Sequence, residues 1–235
     1  MSGIDTAVLL AAGMGSRLRG IAASKPLCPV GGVALIDHAL AGLAEAGIAR
    51  VVVVLGYEGD AIAAHLAGRA HPVMVETVRT RDWTLPNGVS VLAAAEAVGC
   101  GEALMAMCDH LVAPTLYRRV ADAGARGGLT LGIDRRLGHD WIDPEDVTCV
   151  ASRGENIVAI GKGLEPHDAY DTGVFAIGPA FYLALAEMAA PSITEGVRVL
   201  AAVGAAFTVD CSDLDWIDVD DAAALAKADA WVARR

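Results

Sequence analysis

The residues best suited to do chemistry lie near the start of the chain, in a glycine-rich loop that two cations follow. An apolar run ends at Gly13-Met-Gly15, Arg17 closes the loop, and Lys25 comes shortly after. Glycines lack a Cβ, so backbone N–H groups can approach an anion, and the two cations would neutralise it. The stretch therefore predicts a triphosphate-binding loop, although an ordinary strand-to-helix turn would carry the same glycines.

The loop differs from two common phosphate-binding motifs. Leu18 takes the place of the third glycine in the dinucleotide fingerprint G-x-G-x-x-G. No Gly-Lys-Ser/Thr follows the glycines, although a P-loop requires it. The sequence therefore argues against a dinucleotide fold of the usual kind and against a P-loop.

Aspartates in two distant segments could hold a divalent cation. Asp109 follows an apolar run, while Asp218 and Asp220 alternate near the end of the chain and so point to the same face. Mg²⁺ prefers oxygen ligands and keeps several waters, so one carboxylate from each segment would be enough. Each aspartate could instead cap the helix that follows it.

The elements that must position these residues alternate along the first half of the chain. Short apolar runs predict strands and longer periodic stretches predict helices: strands near 6–10, 51–55, 73–76, 103–107 and 129–133, and helices near 34–46, 60–67, 89–98 and 114–123. This alternation predicts an α/β fold, Rossmann-like, with a mostly parallel sheet and helices on both faces. Ligands of such sheets bind at the carboxyl ends of the strands.

The second half changes in pattern. It predicts a hairpin with strands 147–150 and 157–160, a strand at 174–177, helices at 179–188 and 193–203, a strand at 206–210 and a last helix at 221–232. We see neither an internal repeat nor a low-complexity linker, so a single domain over residues 1–235 is expected.

Composition limits the possible partners. The chain has 18 Lys and Arg against 29 Asp and Glu, a net charge of −11, which argues against a nucleic-acid surface. Five dispersed cysteines without C-x-x-C spacing predict free thiols in a reducing cytoplasm. The sequence shows no basic leader and no long apolar run, so we expect neither a signal peptide nor a membrane span.

The glycine loop resembles the signature of the sugar-nucleotidyltransferase superfamily, L-A-A-G-x-G-x-R followed by K-P. The match runs from Leu10 to Arg17 and through Lys25-Pro26. Further segments occur in an order similar to that of the inositol-1-phosphate cytidylyltransferase family: Asn87-Gly-Val-Ser90, Cys108-Asp-His110, Ile160-Gly-Lys-x-Leu164, Asp168-x-x-Asp-Thr-Gly-Val-Phe175 and Ile217-Asp-Val-Asp220.

The resemblance implies transfer of CMP from CTP to inositol 1-phosphate, with Mg²⁺ as cofactor and CDP-inositol and pyrophosphate as products. It implies a nucleotide-binding half over about 1–110 and an acceptor-binding half over about 111–235. The implied roles are catalysis for Arg17 and Lys25; nucleotide binding for Leu10, Ala11, Ala12, Gly13, Gly15, Ser16, Asn87, Gly88 and Ser90; acceptor binding for Lys162, Asp171 and Thr172; and metal binding for Asp109 with Asp218 or Asp220.

Simpler interpretations of single residues stay open. Asn87-Gly88 and the Asp171-Thr-Gly segment could be turns, Lys162 a solvated charge, and His110 a hydrogen-bonding core residue. One departure from the family concerns Cys108, which stands where a glycine is usual and could crowd the phosphates. Some family members are fused to a membrane-embedded alcohol phosphotransferase, so we expect a separate membrane partner to consume the product here.

Three rival functions remain. A cytidylyltransferase for phosphocholine or another phospho-alcohol would need an aromatic cage, for which the candidates are Trp83, Trp141, Tyr170 and Trp216. A pyrophosphorylase for another nucleotide sugar would share the loop but not the later segments. A noncatalytic nucleotide-binding module could lose the cations and carboxylates, all of which are present. The sequence leaves the oligomeric state open.

Overall fold

The apolar run before the glycine loop forms a central strand of a mixed sheet. The computed structural model describes residues 3–18, 20, 22–99 and 101–234. Its strands are, in chain order, β1 (Thr6–Ala11), β2 (Pro29–Val30), β3 (Val33–Ala34), β4 (Arg50–Leu55), β5 (Met74–Arg79), β6 (Ala103–Met107), β7 (His110–Val112), β8 (Leu129–Asp134), β9 (Thr148–Arg153), β10 (Asn156–Lys162), β11 (Ala169–Ile177), β12 (Ala206–Asp210) and β13 (Trp216–Asp218).

The α-helices lie between and after these strands. They are α1 (Leu35–Glu45), α2 (Gly59–Ala67), α3 (Gly88–Ala93), α4 (Ala95–Val98), α5 (Pro114–Ala123), α6 (Pro179–Ala186), α7 (Ile193–Ala202) and α8 (Ala222–Val232). Two short 3₁₀ turns, Ser16–Leu18 and Lys25–Leu27, flank the segment between the glycine loop and β2. Within the described chain, no helix is long and apolar enough to cross a membrane.

Nine of the described strands form one sheet, in the order β5-β4-β1-β6-β11-β8-β12-β10-β9. The four strands from β5 to β6 are mutually parallel, and β12 is parallel to β8. Strands β10 and β11 run opposite to their neighbours. The predicted α/β fold is confirmed, but the sheet is mixed and not mostly parallel, because β11 enters its middle antiparallel, between β6 and β8, and β10 is antiparallel to both of its neighbours.

Alternate residues of the central strands pack on opposite faces, as the two-residue period of a strand requires. Leu9 joins one core with side chains of α1, α2 and α5, while Val8 joins the other with side chains of α3, α6 and α7. The predicted placement of helices on both faces is therefore confirmed. Because both faces are covered, these strands are apolar along most of their length.

Element bounds differ from the sequence predictions in several places. The strand predicted at 73–76 is β5, Met74–Arg79. It extends further along the chain because its later residues pair with β4 despite their polarity. The helix predicted over 89–98 is divided at Ala94 into α3 and α4. The last helix begins at Ala222, since Asp221 accepts a hydrogen bond from the Ala224 N–H at 2.7 Å and acts as its N-cap.

A third, smaller core lies beside the sheet. It joins Leu18 and Leu35 to Leu111 and Ile217 of the two-stranded pair β7–β13, and to Trp231 of α8. This cluster fixes the segments on both sides of Lys25 against the end of the chain. The cysteines at 28, 108, 149 and 211 are buried free thiols, as predicted, and Cys100 lies outside the described residues.

Candidate active site

Lys25 lies at the centre of a cluster of carboxylates. Its Nζ is 2.8 Å from Asp109 Oδ2 and 3.4 Å from Asp218 Oδ1, and it also hydrogen bonds to Asp220 Oδ1. Only 6% of the Lys25 side chain is exposed. Burial alone would lower the pKa of this ammonium, but the carboxylates of Asp109 and Asp218 raise it above its usual value. The structure thus brings one predicted catalytic cation together with all three predicted metal ligands.

Strand pairing explains how carboxylates so far apart in sequence come together. The carboxyl ends of β1 and β6 lie side by side, with Leu10 opposite Met107, so Asp109 emerges beside the glycine loop. The pair β7–β13 places Asp218 opposite His110, and the Val219 N–H donates to the Asp109 carbonyl at 3.0 Å. The strand pairings β1–β6 and β7–β13 therefore bring the carboxylates of Asp109 and Asp218 close together.

The glycine loop is shaped to admit Lys25. Gly15 has φ +56°, and a Cβ there would lie 2.8 Å from Lys25 Cδ, too close for contact. The loop and Lys25 enclose a small cavity of about 150 Å³ together with Leu10, Ala11, Gly13, Cys108, Asp109 and Asp220. The Cys108 thiol is buried, which raises its pKa well above the ordinary value. The side chain of Ser16 lies outside the described part of the chain.

Arg17 is half exposed and reaches across the site to two carboxylates. Its Nη1 lies 2.6 Å from Asp220 Oδ2 and its Nη2 lies 2.8 Å from Asp146 Oδ2. Lys162 forms an ion pair with the other oxygen of Asp146. Asp146 therefore connects a cation of the glycine loop with a cation of the predicted acceptor half, and the Lys162 ammonium holds the pKa of Asp146 at about 2.

His110 occupies a fixed position between the carboxylates and β11. Its Nδ1 is 2.9 Å from the Thr172 carbonyl oxygen, its Nε2 is 3.6 Å from Asp218 Oδ2, and its ring stacks on Trp216 with centroids 5.7 Å apart. Burial alone would lower the pKa of His110, but Asp218 raises it to about 9. For Asp218, burial alone would raise the pKa, but His110 and Lys25 bring it well below the usual range.

These groups open onto a cleft of about 620 Å³. Its charged lining comprises seven aspartates and four basic side chains: Asp109, Asp143, Asp146, Asp171, Asp218, Asp220 and Asp221, with Arg17, His110, Lys162 and Lys227. Asn87 also lines the cleft. A polyanion entering such an acidic cleft needs further positive charge, because carboxylates alone would repel it.

The predicted nucleotide residues around Asn87 have different surroundings. Asn87 Oδ1 accepts a hydrogen bond from the Ile193 N–H at 2.9 Å, which ties the segment to the start of α7. Gly88 packs against the Pro191 carbonyl so closely that a Cβ would collide with it, and Ser90 is buried. The structure therefore places Asn87 at the cleft and Gly88 and Ser90 behind it.

The two predicted acceptor residues on β11 also differ. Asp171 lines the cleft and accepts from the Gly173 N–H at 2.7 Å; burial raises its pKa to about 6. The Thr172 hydroxyl donates to the Gly132 carbonyl at 2.7 Å, and its side chain is fully buried. Among the loop residues, Ala12 is buried, and its carbonyl accepts from the Tyr57 N–H.

Sequence reasoning missed Asp146 altogether and gave His110 no ligand role. Asp146 lies in the irregular segment between β8 and β9, where no periodicity marks it. The available signal was the local density of acid in Asp143-Pro-Glu-Asp146. For His110 the signal was its position directly after Asp109. His110 does form the core hydrogen bond that the sequence suggested, through Nδ1 to the Thr172 carbonyl, and Nε2 faces the cluster instead.

A strand-end glycine loop with two cations, facing carboxylates from two other strands, defines a nucleotidyltransferase site. The sequence profile of the MobA-like NTP transferase domain matches residues 7–161. The chain therefore belongs to the MobA-like NTP transferase family.

Individual relatives agree with this assignment. The bifunctional IPC transferase and DIPP synthase of Rubrobacter xylanophilus is 33% identical over 219 residues, 91% of this chain and 49% of that protein. This chain spans about half the length of the curated relatives of that name that it matches.

Solved structures share the fold at lower identity. The inositol-1-phosphate CTP transferase from T. maritima superposes with a TM-score of 0.83 at 22% identity, covering 97% of both chains. A UDP-glucose pyrophosphorylase from Acinetobacter baumanii gives a TM-score of 0.79 at 18% identity, covering 96% of this chain and 92% of the other. The superpositions show that the fold extends well beyond the region matched by the family profile.

Proposed function

We propose that this protein transfers CMP from CTP to inositol 1-phosphate, giving CDP-inositol and pyrophosphate. The observation that carries the proposal is a single cleft that joins Arg17 of the glycine loop, and the carboxylates that hold Lys25, to Lys162 and Asp171 of the later segments. The similarity to proteins named IPC transferase, over 91% of the chain in one case, supports this choice of substrates.

The chemistry needs no protein nucleophile, because the acceptor phosphate is already an anion. One of its oxygens attacks the α-phosphorus of CTP; the new P–O bond forms as the bond to the bridging oxygen breaks, and pyrophosphate leaves with that electron pair. The protein then contributes positioning and charge stabilisation. Arg17 and Lys25 are the groups that offset charge on the triphosphate and on the departing pyrophosphate.

A divalent cation such as Mg²⁺ fits the carboxylates. Asp109, Asp218 and Asp220 are oxygen donors of the type that Mg²⁺ prefers, and they already surround a positive group, the Lys25 ammonium. Asp109 with Asp218 or Asp220 would hold the metal. When bound, the metal neutralises phosphate charge, which the acidic lining of the cleft cannot do.

The glycine loop and the Asn87 segment would bind CTP in the first half of one domain. Asn87 Oδ1 is engaged by Ile193, so the amide nitrogen is the group that would face a base. Gly88 and Ser90 would act by shaping this segment from behind. Leu10 to Gly15 would present the backbone to the phosphates.

Polar residues of the second half would bind the acceptor. Asp171 can accept hydrogen bonds from inositol hydroxyls, and Lys162 can pair with the acceptor phosphate. Thr172 would act through the backbone, since its hydroxyl is bound to Gly132. Of the four aromatic residues considered for a phosphocholine cage, Trp141 and Trp216 line the cleft, and Trp216 is buried under His110. A polyhydroxylated acceptor suits this lining better.

The reaction would take place in the cytoplasm. CDP-inositol would then pass to a membrane-bound phosphotransferase, which replaces CMP with an alcohol. We also propose that a single domain, residues 1–235, carries out the reaction.

Pyrophosphate release tests the proposal directly. Purified protein would be given each of CTP, UTP, GTP and ATP with inositol 1-phosphate, phosphocholine or glucose 1-phosphate. We expect fast release only with CTP and inositol 1-phosphate, because a pocket built to hydrogen bond one base rejects others that leave its groups unpaired. Equal turnover with ATP, or a preference for phosphocholine, would refute the substrate assignment, and tight CTP binding without any release would favour a noncatalytic module.

A further inference from the structure

The two ring nitrogens of His110 face opposite kinds of surroundings. Nδ1 lies 2.9 Å from the carbonyl oxygen of Thr172, which can only accept a hydrogen bond. Nδ1 must therefore carry a proton and donate it. In a neutral imidazole this leaves the lone pair on Nε2.

Nε2 faces two carboxylates. Nε2 lies 3.6 Å from Asp218 Oδ2 and 3.9 Å from Asp109 Oδ1. Carboxylate oxygens so placed favour positive charge at Nε2, which a proton supplies when no metal is bound and which a divalent cation can supply in its place. A histidine that donates one N–H to a backbone carbonyl while its other nitrogen faces carboxylates has the usual arrangement of a metal ligand.

Lys25 does not compete for the same oxygens. It contacts Oδ2 of Asp109 and Oδ1 of Asp218, whereas His110 faces Oδ1 of Asp109 and Oδ2 of Asp218. Each carboxylate thus has one oxygen toward the ammonium and one toward the imidazole. Nε2 and one oxygen of each aspartate lie within 4.8 Å of one another, a span that ligands of one ion can occupy.

The ring is also held rigidly enough to serve as a ligand. It stacks on Trp216, whose indole N–H donates to Asp134 Oδ2 at 2.9 Å. At the Nδ1–Cε1 edge of the ring, the backbone of Gly173 approaches so closely that a Cβ would collide with the imidazole. Gly173 has φ +77°, so both its conformation and its lack of a side chain make room for the ring.

We propose that Nε2 of His110 is a ligand of the divalent cation that Asp109 and Asp218 hold, so that the site is a mixed nitrogen and oxygen site. The proposal rests on the proposed function in one respect, namely that this cluster binds a divalent cation. Nitrogen donors favour later transition metals over Mg²⁺. The site should therefore bind Mn²⁺ and Co²⁺ more tightly than Mg²⁺, and by a larger margin than carboxylates alone would give.

Mn²⁺ provides a direct probe of the ligand. Protein containing ¹⁵N only in its histidines would be loaded with Mn²⁺ alone, and separately with Mn²⁺ and CTP, and studied by pulsed electron paramagnetic resonance. We expect a ¹⁵N coupling from a directly bound imidazole in at least one of the two samples. Selective labelling separates this signal from the amine of Lys25 and from the nitrogens of cytosine. Bound Mn²⁺ without histidine coupling in both samples, or no bound Mn²⁺ in either, would overturn the proposal.

The variant His110→Asn removes Nε2 but keeps an amide N–H where Nδ1 donates to Thr172. It should abolish the coupling and weaken Mn²⁺ binding by about tenfold or more, with a smaller loss for Mg²⁺. The control His71→Asn alters a ring that contacts the Leu66 carbonyl away from the cluster and should leave both values unchanged. Equal losses for Mn²⁺ and Mg²⁺ in His110→Asn would point to a structural role only and refute the assignment.

The two levels of proposal can fail separately. A histidine coupling in a protein that releases no pyrophosphate from CTP and inositol 1-phosphate would uphold the ligand and refute the function. Turnover with those substrates but no histidine coupling would uphold the function and refute the role of His110 as a ligand.

Discussion

Lys25 and Lys162 are two lysines of the candidate site in opposite environments. Lys25 is 6% exposed and contacts three carboxylates, two of which lie 84 and 193 residues away in sequence. Lys162 is 61% exposed and pairs with the single carboxylate of Asp146. The proposed nucleotide side of the site is therefore held in place by ion pairs within the protein, while the proposed acceptor side is open.

The difference has a physical basis in how each lysine is held. Buried ion pairs act at low dielectric and are screened little, whereas an exposed pair contributes about 0.2–1 kcal/mol. Lys25 can thus serve a reaction in which the position of charge decides the rate. Lys162 can move to meet acceptors of different shape. Four substitutions would break or sharpen this contrast.

The largest effect is expected for Asp109→Ala. Loss of a carboxylate from the cluster should lower kcat by about 10³-fold or more, because both the metal and Lys25 lose a partner. Steady-state pyrophosphate release at saturating substrates measures this. The matched control is Asp122→Ala on the exposed side of α5, which should behave as wild type. A wild-type rate for Asp109→Ala would remove this residue from the site.

Lys25→Ala comes next. We expect kcat to fall by about 10²–10³-fold, while the dissociation constant for CTP changes much less, because the ammonium acts mainly as charge moves onto pyrophosphate. Lys25→Arg should recover only part of the rate, since a planar fork places its charge differently. Kinetics beside calorimetric CTP binding separate the two quantities. Weaker CTP binding at an unchanged kcat would make Lys25 a ground-state anchor.

Lys162→Ala should act chiefly on the acceptor. We expect the KM for inositol 1-phosphate to rise by about 10–100-fold with a smaller change in kcat, as for a residue that binds ground and transition states alike. Lys162→Arg should restore most of the affinity, because an exposed site can accommodate the longer fork. If Lys162→Ala instead matched Lys25→Ala in kcat, the two sides of the cleft would not differ in the way described here.

Asp146→Asn should have the smallest effect. The two cations that pair with it, Arg17 and Lys162, are 49% and 61% exposed, so loss of these pairs should change kcat/KM by no more than about fivefold. The measurement is kcat/KM for both substrates at low and high salt. A loss above a hundredfold would instead show that Asp146 belongs to the metal cluster, with which its carboxylate is close enough to share an ion.

The sequence predicted those parts of the site that strand ends deliver. The glycine loop and Asp109 directly follow buried strands, so their place at one edge of the sheet could be deduced from the alternation of elements. Asp218 and Asp220 were grouped correctly by their alternation, and both reach Lys25. The sequence did not rank these two, and the structure keeps both within the cluster.

The remaining features depend on contacts that no local pattern shows. The pair β7–β13 joins residues 110–112 to 216–218 through short strands with no distinctive period, so the role of His110 could not be deduced. Asp146 acquires its two partners only through the fold. Thr172 was assigned to the acceptor by motif, but the direction of its side chain depends on the bulged register of β11 with β8.

Strand β11 also determines when the sheet can be completed as the chain is synthesised. It lies between β6 and β8, yet it is synthesised after both of them. Until residues 169–177 emerge, β6 is an unpaired edge that invites pairing with other chains. Such distant pairings make folding slow. The glycine loop is thus made first, but a segment ending near residue 161, where the family profile also ends, would expose that edge and tend to aggregate.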